Sequence, residues 1–308
     1  MPPSSWFPLL LVACTAPSEN DDDAPLWQSS DTEADSDTDS DTDADSDTDA
    51  DPVATKVAVG DSAACAIYAD GTVACDGGAE APPGSDYVQV RGTDQDQFCF
   101  RTPDEITCYQ GSTQTLARTG EYSDFDTSRD EACGVRGGKI ECWGLTEGLD
   151  YLDGYPSGSD WERVFVGFYH ACAMAQDGSV GCWGHQVPFD EAEIEGRRFA
   201  TFATGSHHSC GVAGSGAVDC WTDDESGEFG ISAPGGDFST LDAEYLHYCG
   251  LLDDGSIDCF GTYGGDGAAP RAPEGNGFTF VAAGRDGDCA IDNDGDVHCW
   301  GQVEGVEL

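Results

Sequence analysis

The 15 cysteines are the residues of this 308-residue chain with the most chemistry to offer. Fourteen fall into seven pairs by spacing: Cys65 with Cys75, Cys99 with Cys108, Cys133 with Cys142, Cys172 with Cys182, Cys210 with Cys220, Cys249 with Cys259, and Cys289 with Cys299. The second cysteines recur roughly every 33–40 residues, a period that signals a repeat architecture. Thiol pairs can ligate zinc, stay reduced in a core, or form disulfides. Zinc sites need short spacings and four converging ligands, whereas these pairs are dispersed along the chain.

The segment between paired cysteines decides the register. In Cys-Ala-Met-Ala-Gln-Asp-Gly-Ser-Val-Gly-Cys, ending at Cys182, the loop is Gln176-Asp177-Gly178 with Gly in the left-handed position. Cys172 then faces Cys182. In the shorter Cys133–Cys142 copy the loop is Gly137-Gly138, and Cys133 faces Cys142. Both loop lengths put the sulfurs opposite each other at a non-hydrogen-bonded site, where strands approach to about 4.5 Å. One disulfide within each hairpin is therefore expected.

Other residues offer weaker chemistry. His170, His208 and His247 each stand two positions before the first cysteine of a pair. Matching positions in separate repeats favour the same local hydrogen bond in each over a shared metal. Asp292, Asp294 and Asp296 surround Gly295. They have the look of a calcium loop, but the Gly falls at the wrong position and the tract reads as a hairpin turn. No cofactor is expected, with calcium as the alternative there and in the Asp-rich tract at 30–51. Catalytic signatures such as Gly-x-Ser-x-Gly, His-Glu-x-x-His or a phosphate loop do not occur, so no catalytic residue is assigned.

These residues need elements to hold them. Each copy is a β-type run, a turn dipeptide and a second β-type run, and most have a further apolar run upstream. Seven units of three or four short strands make an all-β, seven-bladed β-propeller over residues 53–308. An aromatic follows the second cysteine in six copies: Tyr109, Trp143, Trp183, Trp221, Phe260 and Trp300. Their fixed place argues for packing between blades rather than a ring of sugar-stacking sites. Asp76 takes that place in the first copy. The C-terminal segment is expected to complete the blade that the N-terminal strand begins.

The fuller unit, residues 167–184, resembles the repeat of the regulator of chromosome condensation family, in the Cys-pair form of its secreted bacterial members. The resemblance covers about 250 residues and implies a seven-bladed propeller with a face able to bind a protein. The second copy departs from it, lacking both the Asp-Gly turn and the Trp-Gly ending. The nuclear role of the family's founder does not suit an acidic, exported chain.

Acidity and export are both read from composition. The formal net charge is −48, and 15 of the 60 acidic residues but none of the 12 Lys and Arg lie in residues 1–51. The remainder is still strongly acidic, which opposes binding to nucleic acid or anionic lipid. Residues 1–13 read as a signal peptide whose short apolar stretch ends in Leu-Val-Ala before Cys14, similar to a lipobox. Cys14 is the expected lipid anchor. Residues 14–52 are expected to be a disordered Asp/Ser/Thr-rich linker. The expected protein is a monomeric, lipid-anchored envelope protein, with secretion as the alternative.

The expected function is non-enzymatic binding of a protein or glycan through one propeller face. A lyase or hydrolase with a site near the central channel and a calcium-dependent adhesin are the alternatives. Candidate partner contacts are placed in the irregular inter-repeat segments 145–160, 185–198, 222–237 and 262–277, where loops carry function. They are Tyr151, Tyr155 and Trp161 in or beside the first, and Arg197 and Arg198 in the second.

Overall fold

A computed structural model describes residues 52–308, apart from 94, 146–151, 153, 223–230, 232–233, 264–266 and 269–270. The expected signal peptide, Cys14, nearly all of the expected linker and Tyr151 lie outside the described residues.

Short runs of small and apolar residues, buried on both faces in the middle strands and broken by Gly turns, produce seven antiparallel sheets. These are the blades of a β-propeller, at 54–76, 89–119, 124–144, 161–184, 199–222, 238–268 and 278–301. Blades 2 and 6 have four strands and the others three. The first, inner strands are Ala54–Val59, Gln89–Gly92, Asp124–Thr127, Trp161–Val166, Phe199–Thr204, Phe238–Glu244 and Phe278–Ala283. Within each blade the chain turns from inner to middle strand at one end of the ring, here the turn face. It turns from middle to third strand at the other end, the hairpin face.

The expected register holds in every blade. Each first cysteine is paired across the ladder with its second. All seven disulfides form, with Cα–Cα distances of 4.0–4.1 Å. The first cysteine of each pair is fully buried.

The hairpin Gly does more than turn the chain. Gly178 has φ +79°, and a Cβ there would lie 2.6 Å from the Phe199 carbonyl of the next blade. That close approach lets the Phe199 N–H donate to the Gly178 carbonyl at 2.9 Å. The same bond runs from Trp161 to Gly138, from Phe238 to Gly216 and from Phe278 to Gly255. It also runs from Ala54 to Gly295, so blade 7 meets blade 1 as any other blade meets its neighbour.

Apolar packing repeats in the same way. Seven buried clusters each combine residues of two adjacent blades. The aromatics after the second cysteines supply them: Trp143 packs with blade 2, Trp183 with blade 3 and Trp300 with blade 6. Tyr109, Trp221 and Phe260 pack more peripherally, likewise on the preceding blade. Burial of such a ring contributes about 1.5–3 kcal/mol. Where Asp76 replaces the aromatic, the C-terminal segment fills the interface instead. Val303 is fully buried there, Val306 and Leu308 pack beside it, and the Glu307 N–H donates to Asp76 Oδ2 at 3.0 Å. The segment, expected to complete the blade that the N-terminal strand begins, closes the junction of blades 7 and 1 as a turn with inserted side chains.

Candidate functional site

The seven inner strands surround a central cavity of about 410 Å³. Because side chains alternate along a strand, they line it in levels. The level nearer the hairpin face carries Lys56, Gln89, Asp124 and Arg163 from blades 1 to 4, then Thr201, Thr240 and Phe280 from blades 5 to 7. The next level carries Arg91, Asp126 and Asp242, paired across the ladder with Cys99, Cys133 and Cys249.

The carboxylates here tie blades together. Asp124 Oδ2 accepts the Val164 N–H at 2.9 Å, and Asp126 Oδ2 accepts the Val166 N–H at 2.8 Å. Asp242 Oδ2 accepts the Ala283 N–H at 2.9 Å. Gln89 Nε2 donates to Asp124 Oδ1, and Arg91 Nε pairs with Asp126 Oδ1 at 2.7 Å. Burial pushes the Asp126 carboxyl up to about 6 despite Arg91 and the Val166 amide, and burial also raises Asp242.

The cations are less fully matched. Arg101 donates to Gln89 Oε1 and the Tyr122 carbonyl, both neutral. Arg163 donates to Thr201 Oγ1 at 3.1 Å and lies 4.9 Å from the Phe165 ring. Lys56 lies 4.8 Å over the Phe280 ring. Among the described residues neither Lys56 nor Arg163 has a carboxylate partner. The Lys56 amine pKa is lowered by burial, then by the Arg91 and Arg163 charges.

The three histidines form a second constellation. All are fully buried at the start of middle strands. His170 Nε2 shares a hydrogen bond with Ser209 Oγ at 2.7 Å, and His208 Nδ1 one with Tyr248 Oη at 2.8 Å. His247 Nε2 lies 2.8 Å from Asp288 Oδ1. The bond is repeated as expected, but it reaches the next blade rather than staying local. Its partner is always the residue before that blade's first cysteine. The sequence held a signal for this: Ser209, Tyr248 and Asp288 follow the three His-bearing blades, whereas Ala64, Ala132 and Ala171 stand there in blades not preceded by one. His247, Cys249 and Asp288 converge as metal ligands might. However, Cys249 is bonded to Cys259, and His247 and Asp288 are bonded to each other.

A third group sits on the turn face, where sequence reasoning did not look. Successive blades there present Arg129, Phe168 with Tyr169, and His207. Arg129 lies 5.8 Å from the Phe168 ring, Phe168 and Tyr169 are 4.6 Å apart, and Tyr169 and His207 are 4.9 Å apart. Farther round, Arg285 lies 5.0 Å from the Tyr245 ring. Tyr245 holds φ +49°, a strained conformation for a bulky residue, and its carbonyl accepts the Ser206 N–H at 2.7 Å. Repetition concealed this group, because the turns belong to the repeat itself while their tips differ from blade to blade.

The loop residues proposed from sequence fare unevenly. Tyr155 is exposed at 47%. Trp161 is not a loop anchor: it opens the inner strand of blade 4 and packs into the interface with blade 3. A bulge between Trp161 and Arg163 turns it out of the channel. Arg197 is paired with Asp219 and flanks Phe199 and Trp221. Arg198 pairs with Asp177 in the hairpin of blade 4 at 3.1 Å, tying blade 5 to it. Asp292 accepts the Asp294 and Asp296 N–H groups within the hairpin turn and pairs with His298.

No family model and no curated protein matches the chain. Solved structures do. The CRINKLY WD40 ectodomain of the Arabidopsis thaliana receptor kinase ACR4 is similar at 22% identity and TM-score 0.64, over 83% of this chain and 100% of that one. The ectodomain of the Physcomitrella patens receptor kinase CR4 is similar at 21% identity and TM-score 0.60, over 81% of this chain and 73% of that one. Human WBSCR16 is similar at 14% identity and TM-score 0.58, over 79% and 88%. These likenesses establish the propeller fold.

Proposed function

We propose that this protein is a non-enzymatic binding scaffold outside the cytoplasm that recognises a protein through the turn face of its propeller. The carrying observation is the strip Arg129–Phe168–Tyr169–His207, continued by Tyr245 and Arg285. Tyr, Arg and other aromatics are the residues that dominate binding energy at interfaces. Here they gather on an otherwise acidic protein, and one is kept in a backbone conformation costing about 1–2 kcal/mol. Folding alone does not call for a tyrosine there.

Three further points support the reading. Seven disulfides suit an oxidising compartment. The signal-like segment ending at Cys14 suits export and lipid anchoring at the cell envelope, with residues 14–52 as a tether. Two of the similar structures are receptor-kinase ectodomains. The repeat's resemblance to the regulator of chromosome condensation family fits the same use of a face. The channel aspartates Asp124, Asp126 and Asp242 bond to backbone amides, which favours binding over hydrolase or lyase chemistry.

The test is capture from the native envelope, comparing the wild type with Tyr169→Ser/His207→Ser and with the hairpin-face variant Asp177→Ala/Arg198→Ala. We expect the turn-face variant to lose the captured partner by at least about tenfold, as for a hot-spot pair, and the hairpin-face variant to keep it. Equal capture by all three would overturn the assignment of the face. Protease-resistant, periodate-sensitive capture would replace the protein partner with a glycan.

A further inference from the structure

We propose that the central channel is a binding site for a compact oxyanion (a carboxylate, sulfate or phosphate group), held between Lys56 and Arg163. The site lies toward the hairpin end of the inner strands, away from the turn face, and does not depend on what that face binds.

Charge distribution is the first ground. The chain has 12 Lys and Arg against 60 acidic residues, yet four of the 12 line this one cavity: Lys56, Arg91, Arg101 and Arg163. Four carboxylates, Asp124, Asp126, Asp242 and Glu244, line it too, so what matters is which cations they leave unmatched. Arg91 is matched by Asp126 within the blade framework. Lys56 and Arg163 have no such match among the described residues. They project from blades 1 and 4 at the same level and are partly buried. Their like charges oppose each other in a recess where screening by water is reduced. An anion between them would turn that repulsion into attraction.

The surroundings fit the same group. Thr201 and Thr240 bring hydroxyls to this level, whereas the Gln89 amide is already engaged by Asp124, the Phe125 carbonyl and Arg101. The Arg guanidinium offers a planar fork matched to oxyanions, and the Lys amine a compact charge beside it. A divalent cation is a poor fit, because Asp124, Asp126 and Asp242 already bond to backbone amides. A polyanion is also a poor fit, since the acidic exterior repels it and the cavity is only about 410 Å³. The ligand is therefore small, or the acidic end group of a larger one.

Lys56 and Lys139 are the two lysines of the chain, and Lys139 is exposed on a hairpin. Reductive methylation of the full, oxidised chain, read by mass spectrometry, therefore carries an internal reference. With inorganic sulfate, inorganic phosphate or glucuronate at constant ionic strength, we expect saturable protection of Lys56 and none of Lys139. Glucose and chloride should protect neither. Binding of sulfate measured by calorimetry should weaken at least about tenfold in Arg163→Gln and be partly retained in Arg163→Lys. Preference for glucuronate over sulfate would identify the source as an acidic sugar; the reverse would identify a free inorganic anion. Protection of both lysines alike, no saturation with any oxyanion, or unchanged affinity in Arg163→Gln would overturn the proposal.

Discussion

His170 and His208 show what burial does to a titratable residue. Burial first, and neighbouring histidines second, lower both to about 3, far under the ordinary 6.5. The unfolded chain therefore takes up protons below about pH 6.5 that the folded chain refuses. Stability from this source is fully present above 6.5 and is lost as pH falls toward 3, at about 1.4 kcal/mol per pH unit for each histidine. Asp126, raised to about 6, acts in the opposite sense but is common to wild type and variant. His170→Gln should leave a stability profile less steep by one proton between pH 6.5 and 3. Denaturant unfolding at pH 7, 6 and 5 with disulfides intact measures this; identical slopes would show that His170 is charged in the folded protein. The bond itself was only half legible, since identical positions in three repeats announced a shared role. Its direction across a blade boundary becomes visible only when each His is set against the residue before the next blade's cysteine.

At the scale of the element, the disulfide hairpin is the unit that local sequence describes best. The Asp-Gly-Ser turn builds itself: Asp177 Oδ1 accepts the Ser179 N–H at 3.0 Å and its hydroxyl at 2.6 Å. Asp70 does the same for Thr72, and Asp254 for Ser256. The turn sets the register and the register sets the disulfide. Closing a loop of this length restricts the unfolded chain by about 2–3 kcal/mol. The double substitution Cys172→Ala/Cys182→Ala should lower stability by about that much while leaving blade 4 folded, as read by thermal unfolding and by hydrogen exchange of its middle strand. A loss below about 0.5 kcal/mol would mean that the turn alone restricts the unfolded hairpin. Inner strands were less legible. The bulge that sends Trp161 into a blade interface leaves no mark in hydrophobic alternation, so the residue reads as a loop anchor.

Closure is a property of the whole ring. Blade 1 lacks the aromatic that every other blade offers its predecessor, and residues 302–308 fill that junction. Deleting 302–308 removes the fully buried Val303 and the bond from Glu307 to Asp76. We expect faster hydrogen exchange in Ala54–Val59 and Gly287–Asp292, with blade 4 protected as before. Uniformly faster exchange in every blade would instead mark this segment as a keystone of global stability. Net charge also acts at this scale. A chain of −48 stays dispersed and repels polyanions, while four of its 12 cations meet where seven inner strands converge.

The sequence by itself determined the repeat, the number of blades, the pairing of every blade cysteine and the packing role of the aromatics that follow them. Each depends on interactions among residues within about a dozen positions, or on one interface repeated around the ring. Only the tertiary structure decided which unlike residues meet. Lys56 and Arg163 stand more than two repeats apart, and Arg129, Phe168 and His207 belong to three different blades. Their proximity follows from radial placement, in which equivalent positions of successive blades become neighbours. A periodic sequence shows those positions as equivalent but does not say which differences among them face one another across a channel or along a rim.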